Sequence, residues 1–508
     1  MKTEIKIIFP LLLVFIFLWI SPVMLRAQKK QKVFVERTDV QRYTKKIGKE
    51  RLIGNVIIRQ GKTRFYCDSA YLDDKSNSFE AFSNVHINVN DSVDVYGNRM
   101  HYDGNTRIAE LFGNVKLLDK KTTLSTEHLV YNRNTKTAFY DSGGTIVSGD
   151  NNLVSKKGYY KTQIKTFYFR KDVVLTNPRS ETYSDTLIYN TINETAYFQG
   201  PTVIRGKEST VYTEKGYYDT KSDFSKLTKK PMVMSSQQTI SADSIYYNNQ
   251  TTYGNAFGRV EINDTLHNVV IRGKLGSMWD NRGMSYITDS AMAITYDKKD
   301  SMYIHSDTLW MFFDKKKQAK KMLAYHNVRF FRDDMQGKCD SLAYNMYDST
   351  IRLYTDPVMW SGKNQLTADS IHINVSGNRL DSLVMYNTAF IVSLDSLDNY
   401  NQIRGKDMIG YFRKNHLYKI LVDGNAQTLY YIRDDDSTLI GIDLAESSSM
   451  LIRLAGNKIN SINYVSKVKE ITYPEKKLPP DMKRLKGFNW QESLRPRDKY
   501  DIFQKTSK

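Results

Sequence analysis

Ala242-Asp243-Ser244-Ile245-Tyr246-Tyr247-Asn248 returns, in altered copies, along most of this chain. Ser184-Asp185-Thr186-Leu187-Ile188-Tyr189-Asn190 and Cys339-Asp340-Ser341-Leu342-Ala343-Tyr344-Asn345 match it class for class. Ala368-Asp369-Ser370-Ile371-His372-Ile373-Asn374 keeps the frame with Ile373 in the tyrosine place, and Thr126 to Asn132, Ser155 to Lys161 and Thr213 to Asp219 are looser copies. The tyrosines set the period: Tyr102, Tyr131, Tyr160, Tyr189, Tyr218 and Tyr247 follow one another at intervals of 29 residues. A period between about 20 and 50 residues marks a fold built by stacking one small unit. Stacks of this kind work as long surfaces or grooves more often than as catalytic pockets.

Each copy runs on into a polar turn and a second apolar run. Asp103-Gly104-Asn105-Thr106 leads to Leu111-Phe112-Gly113-Asn114-Val115-Lys116-Leu117, and Asn248 to Thr251 leads to Ala256-Phe257-Gly258-Arg259-Val260-Glu261-Ile262. Asx, Gly and Thr at the junction are what a hairpin connection requires. The Gly-x-Val-x-apolar ending alternates with period two, as a strand with one buried face does. The unit is therefore two short strands, which cannot bury an apolar face alone. About fifteen such units over Val33 to Ile471 must stack, as two facing sheets or a folded-over groove. With 35 Tyr and 22 Phe against 10 Pro, and no amphipathic helix of normal length, the class is all-β.

The period loosens after Tyr247, which predicts a seam near residues 250–300. The expected organisation is an export segment at 1–27, one repeat array at 28–255, a second at 256–471, and a basic, Pro- and aromatic-containing tail at 472–508. Phe488, Trp490 and Phe503 punctuate that tail. It reads either as a disordered end or as a docking segment for a partner.

The 74 Lys and Arg against 55 Asp and Glu give a formal charge of +19, which implies an anionic partner. The N-terminus narrows the choice. Lys2 and Lys6 precede an apolar run from Ile7 to Ile20, and Ala27 is a suitable last residue before cleavage; the alternative is a retained anchor extending to about Leu25. Either places the body outside the cytoplasm and disfavours nucleic acid. Cys67 and Cys339 occupy the same slot of units roughly nine apart, too far to bridge in a stack, so both are expected free and buried. The 8 histidines show no metal-ligand spacing, and no nucleophile elbow or phosphate-cradling loop is present. No enzyme, metal or cofactor is expected.

An export segment, tandem two-strand units, Ala-Asp-Ser-x-x-Tyr-Asn openings and Gly-Asn-Val endings together resemble the OstA/LptA family, the organic-solvent-tolerance-like domain of the lipopolysaccharide transport bridge. The resemblance covers about Val33 to Ile471. It implies an elongated open β-jellyroll, or β-taco, whose apolar interior shields lipid A acyl chains while sugar and phosphates stay outside. It also implies partners that join end to end: other β-jellyroll transport proteins, or copies of the same chain, pairing through edge strands in the periplasm or at the outer membrane of a Gram-negative envelope.

Alternation puts Ile245 and Tyr247 on one face, as it does Val260 and Ile262. The same slots nominate Met100, Tyr102, Val115, Leu117, Leu129, Tyr131, Leu187 and Tyr189 as groove residues. The alternative is that all twelve are the core of a closed sandwich, in a structural or polysaccharide-binding envelope protein. Arg259, Arg272 and Lys274 are candidates for lipid phosphates, or else simply charges on a solvated strand face. Asp-Ser/Thr-apolar triplets such as Asp68-Ser69-Ala70 and Asp243-Ser244-Ile245 resemble the acceptor of an O-glycosylation system of one Gram-negative phylum, but they coincide with the repeat and read equally as outward strand residues.

Overall fold

In a computed structural model the described residues are 31–504, apart from 47, 90–92, 208, 236–237, 297–300, 377–378, 415, 435 and 456–457. The expected export segment lies outside them. Among the described residues the chain forms forty β-strands and five short 3₁₀ turns, all strand pairing being antiparallel, with no α-helix. The all-β reading holds. The chain divides into two compact units, Met1–Leu111 and Phe112–Lys508.

The repeat builds a strand that bends in its middle. In the first unit Lys49–Gln60 pairs with Thr63–Asp73, and the register slips between Ile53 and Val56. The two residues at the slip, Gly54 and Asn55, both have positive φ, 78° and 47°. A two-residue bulge of this kind turns the strand sharply yet keeps its parity, so the buried series Leu52, Val56, Ile58 and Gln60 continues around the corner. Ser83-Asn84, Gly258-Arg259, Asp289-Ser290 and His326-Asn327 repeat the slip. The Gly-Asn-Val signature therefore marks the crease between two sheets. Elsewhere the bend splits the strand outright: Thr137–Tyr140 pairs with Lys157–Lys161, whereas Gly144–Ser148 pairs with Asn151–Ser155.

The Asp of the Asp-Ser opening has its partner at that crease. Asn55 Nδ2 donates to Asp39 Oδ2 at 2.8 Å, Asn84 Nδ2 to Asp68 Oδ2 at 2.8 Å, and Arg259 Nε to Asp243 Oδ1 at 2.9 Å, each across 16 residues. Asn327 Nδ2 donates to Asp307 Oδ2 at 2.8 Å. The most repeated motif in the chain is thus a corner brace.

In the first unit Phe65, Phe79 and Tyr102 form the core, with Phe65 and Tyr102 rings 4.5 Å apart. The Tyr102 hydroxyl donates to Gln60 Oε1, and Gln60 Nε2 in turn donates to the Gly104 carbonyl at 2.8 Å. Phe34–Arg37 and Val40–Thr44 pair with the Lys49–Gln60 strand, and every residue of Val40–Thr44 is exposed.

In the second unit cross-strand pairing runs through residues 250–300 without a break, from Ser244–Asn248 to Tyr253–Asp264, Val269–Trp279, Met284–Tyr296 and Ser301–Phe313. The loosened period there reflects longer strands of 11–13 residues. The described part of the tail, Thr472 to Gln504, docks on the second unit. Leu478 packs on Leu429, Tyr431 and Ile442, while Leu485, Phe488 and Trp490 cover Phe390, Val392 and Tyr400. Gln365 Nε2 donates to the Asn489 carbonyl at 2.6 Å, and its Oε1 accepts from Gln491 N at 2.7 Å. Gln402 makes the same pair of bonds with Lys483 O and Leu485 N, and Gln336 Oε1 accepts from Arg495 Nε. Gln336, Trp360, Gln365, Val392, Gln402 and Leu429 are successive cross-strand partners, hence on one face. The neighbouring row Gly337, Met359, Leu366, Ile391 and Ile403 faces the interior. The outer row thus alternates buried glutamines with Trp360, Val392 and Leu429, and the tail covers it.

Candidate functional site

Two inward rows build the candidate site, both within the second unit. The first is the tyrosine ladder itself. Tyr131, Ala138, Tyr160, Phe167, Tyr189, Ala196, Tyr218, Ser225, Tyr247, Gly254, Met278, Ser285 and Met311 are each the cross-strand partner of the next. The second comes from the other sheet: Leu153, Leu175, Thr182, Ile204, Val211, Val233, Ile240, Ile262, Ile271, Ala293 and Ile304. Alternation fixes which side chains point inward; it does not fix whether the two rows touch.

Up to Phe198 they do. Tyr131, Tyr160, Phe167, Leu175 and Tyr189 are at most 1% exposed. Tyr160 and Phe167 stack at 3.9 Å, and Tyr140 lies over Gly144 and Gly158, where an added Cβ would sit 2.7 and 2.5 Å from its ring and hydroxyl. Their polar ends are satisfied: Tyr160 donates to Asp119 Oδ2 at 2.6 Å, and Asn151 Nδ2 donates to the Tyr189 hydroxyl at 3.2 Å. Burial raises the phenol of Tyr160 far above its ordinary value, and the Asp119 carboxylate raises it further.

Beyond Phe198 the rows part, and a cavity of about 1990 Å³ lies between them. Tyr218, Tyr247, Met278, Met311 and Met322 line one wall, and Ile204, Val233, Ile240, Ile262 and Ile304 the other. Small residues recur on the tyrosine side at Ser225, Gly254 and Ser285. At Gly254 a Cβ would stand 2.9 Å from the Tyr247 ring, so glycine there lets the ring lie flat on the wall. The mouth is framed by hairpin loops carrying Lys207, His267, Lys316 and Lys317, with Arg332 and Arg379 toward one end. His267 Nδ1 is 2.9 Å from Asp264 Oδ2 and Lys317 lies 3.5 Å from Asp280. Lys207, Lys316 and Arg379 have no ion-pair partner among the described residues. Buried side chains with an exposed cationic rim suit an amphiphile whose head is anionic.

Of the twelve groove candidates, Ile245, Tyr247, Val260 and Ile262 line this cavity. Met100, Tyr102, Val115, Leu117, Leu129, Tyr131, Leu187 and Tyr189 are at most 1% exposed and belong to closed core. The three cation candidates sit on the outside, already neutralised: Arg259 by Asp243, Arg272 by Glu261 at 2.8 Å and Lys274 by Asp289 at 3.2 Å. The cations Lys207, Lys316 and Arg379 escaped the sequence reading because they lie outside the repeat signature, Lys207 and Lys316 in loops between strands and Arg379 at the start of a strand. Cys67 and Cys339 are both free and buried, as expected.

Residues 30–185 match the family model described as OstA-like protein, and residues 297–379 match that of LptA/(LptD N-terminal domain) LPS transport protein. The chain is OstA/LptA-like. No curated protein matches it. These families are transport proteins of the lipopolysaccharide pathway, which places an OstA/LptA-like chain in the Gram-negative envelope. No helix among its described residues is long and apolar enough to cross a membrane, and no group of three or more His, Cys, Asp or Glu side chains there is placed to hold a metal ion.

Proposed function

We propose that this OstA/LptA-like protein carries lipopolysaccharide, holding the lipid A acyl chains between the Tyr218–Met322 wall and the Ile204–Ile304 wall. The observation that carries the reading is the open length of the interior: about 1990 Å³ of apolar-lined space, roughly twice the upper range of small-molecule pockets. Each methylene buried there contributes about 0.8 kcal/mol, so a ten-carbon stretch of one acyl chain adds about 8 kcal/mol. Phosphates reach Lys207, Lys316 and Arg379 at the mouth, while Arg259, Arg272 and Lys274 stay engaged with their carboxylates. Two OstA-like arrays meeting at residues 255/256 fit the matches, one of which falls on each side. Val40–Thr44, which is wholly exposed, and Lys458–Val465 each pair along one side alone among the described residues, and offer backbone for a neighbouring jellyroll to extend. The closed rows before Phe198 are what a purely structural rod would show throughout, and only the open length distinguishes a carrier from it.

A photo-reactive residue at Tyr247 or Val260 tests the reading in cells. Capture of lipopolysaccharide from those positions, with none from outward Glu261 or from closed-core Leu187, is the expected result. Silence at every cavity position in folded, exported protein overturns it.

A further inference from the structure

The sheet that forms the tyrosine wall has a second face, and it is aromatic too. Tyr159, Tyr168, Ile188, Tyr197, Tyr217, Lys226, Tyr246, Asn255, Ser277, Tyr286 and Trp310 are successive cross-strand partners, one residue out of phase with the inward ladder. All but Ser277 are partly exposed. On this outer face a shallow depression of about 460 Å³ opens between the rings of Phe224, Tyr246, Tyr253 and Phe257. Tyr246 meets Phe257 edge-on at 5.5 Å and 83°, and lies 6.5 Å from Phe224, so the rings pack side by side and form an aromatic floor to the depression.

The polar lining is equally specific. Asn248 Oδ1 accepts from Thr251 N at 2.9 Å and Thr251 Oγ at 3.2 Å, and Asn255 Oδ1 accepts from the Tyr253 hydroxyl at 2.8 Å and Ser277 Oγ at 2.7 Å. Both carboxamides are thereby anchored through oxygen, and both Nδ2 groups are left without a protein partner among the described residues, as are Ser244 Oγ and the Tyr246 hydroxyl. No charged side chain lines the depression, and Lys226 Nζ lies 5.1 Å from the Tyr246 ring centre. A lipid tail would strand these donors without acceptors, and an anion would find a single ammonium. A ring carrying C–H groups on its faces and hydroxyls around its edge satisfies the whole lining, its polarised C–H face meeting the negative face of an aromatic ring and its hydroxyls accepting from the amides.

We infer that this depression is a saccharide-binding site, taking a hexopyranose unit on the exposed aromatic floor of Tyr246 and Phe257 with its hydroxyls on Asn248 and Asn255. Its outward side chains are one residue out of phase with the inward Tyr247 and Gly254, although Tyr246, Tyr247 and Asn255 border both spaces, and saccharide binding there does not require lipid in the cavity.

Calorimetric titration of the full chain separates the possibilities, using two probes: polysaccharide freed from lipopolysaccharide by mild acid, and maltoheptaose. Binding of at least one in the micromolar to millimolar range is expected, weakened tenfold or more by Tyr246→Ala and several-fold by Asn248→Ala, and unchanged by Ile262→Trp in the cavity. Preference for the released polysaccharide assigns the site to envelope glycolipid; equal binding of both assigns it to hexose chains in general. The inference is overturned if neither probe binds the unaltered protein at about 10 mM, or if both outer-face variants, folded by circular dichroism, bind as the parent does. Either negative result leaves Tyr247 crosslinking, which reads the cavity, unaffected.

Discussion

At the scale of single residues, the crease makes the sharpest demand. Gly258 has φ of 82°, and a Cβ there would stand 2.2 Å from Asp243 Oδ2. Gly258→Ala meets both a strained backbone and the brace that holds the corner, and is expected to cost about 2–3 kcal/mol in denaturant unfolding. Asp243 Cβ itself stands 2.5 Å from that position, so adding Asp243→Gly relieves the contact but not the φ, and the double variant should recover only part of the loss. Full recovery would show that the backbone strain is negligible. The buried titratable groups supply a second residue-scale expectation. Burial pushes Cys67, Cys339 and Tyr140 each up to about 12, the Ser155 bond to Tyr140 offsetting only part of its shift. The unfolded chain gives up these protons at ordinary values near 9 for the thiols and 10 for the phenol, whereas the folded chain keeps them. Above pH 9 the unfolded state therefore binds fewer protons than the native one, and stability falls as pH rises toward 12. A circular-dichroism titration should show alkaline unfolding within that window, and Cys67→Ser with Cys339→Ser should delay its onset. An unchanged onset would mean the thiols do not contribute.

At the scale of elements, the tail shows how a short segment is held by glutamines. Gln336, Gln365 and Gln402 are at most 3% exposed, and each uses its carboxamide on the tail: Gln365 and Gln402 clamp its backbone, and Gln336 takes Arg495. Removing a partner from a buried donor or acceptor costs about 1–3 kcal/mol, so Gln365→Ala should loosen the segment around Asn489 and Gln491. Limited proteolysis is the direct readout: cleavage between Pro474 and Gln504 should accelerate in Gln365→Ala with the repeat body intact. Ending the chain at Tyr473 exposes Phe390, Val392, Tyr400, Leu429 and Ile442, an apolar face that should drive aggregation. A monodisperse truncated protein would show that the tail is dispensable cover.

At the scale of the second unit as a whole, function rests on the distance between two rows. The same slot of the repeat holds closed-core Tyr189 and cavity-lining Tyr218 and Tyr247, and since the opposite row is no less bulky at Ile204, Val233 and Ile262 than at Leu153, Leu175 and Thr182, what differs is how far the two rows stand apart. Filling the gap should abolish carriage without unfolding the protein. Ser285→Phe and Ile262→Trp each add a ring to the open length, and are expected to reduce lipopolysaccharide capture from Tyr247 at least tenfold while thermal stability is kept or raised. Loss of capture together with loss of stability would point to misfolding, and undiminished capture would place the lipid elsewhere.

The sequence by itself determined everything whose cause lies within one repeat. Period-two alternation set the inward side of each strand, so Ile245, Tyr247, Val260 and Ile262 were legible as one face. Turn chemistry set the hairpins, and the shared slot of Cys67 and Cys339 showed them to be unpaired. Only the tertiary structure decided what depends on residues far apart. Whether the inward rows touch is set by the sum of two side chains from different sheets and by how far those sheets stand apart, neither of which is encoded in a single copy. The pairing of Arg259 with Asp243, the docking of Trp490 on Tyr400, and the placing of Lys207, Lys316 and Arg379 along one cavity arise for the same reason. Alternation is a local property of the backbone, while an opening between sheets is a property of their packing.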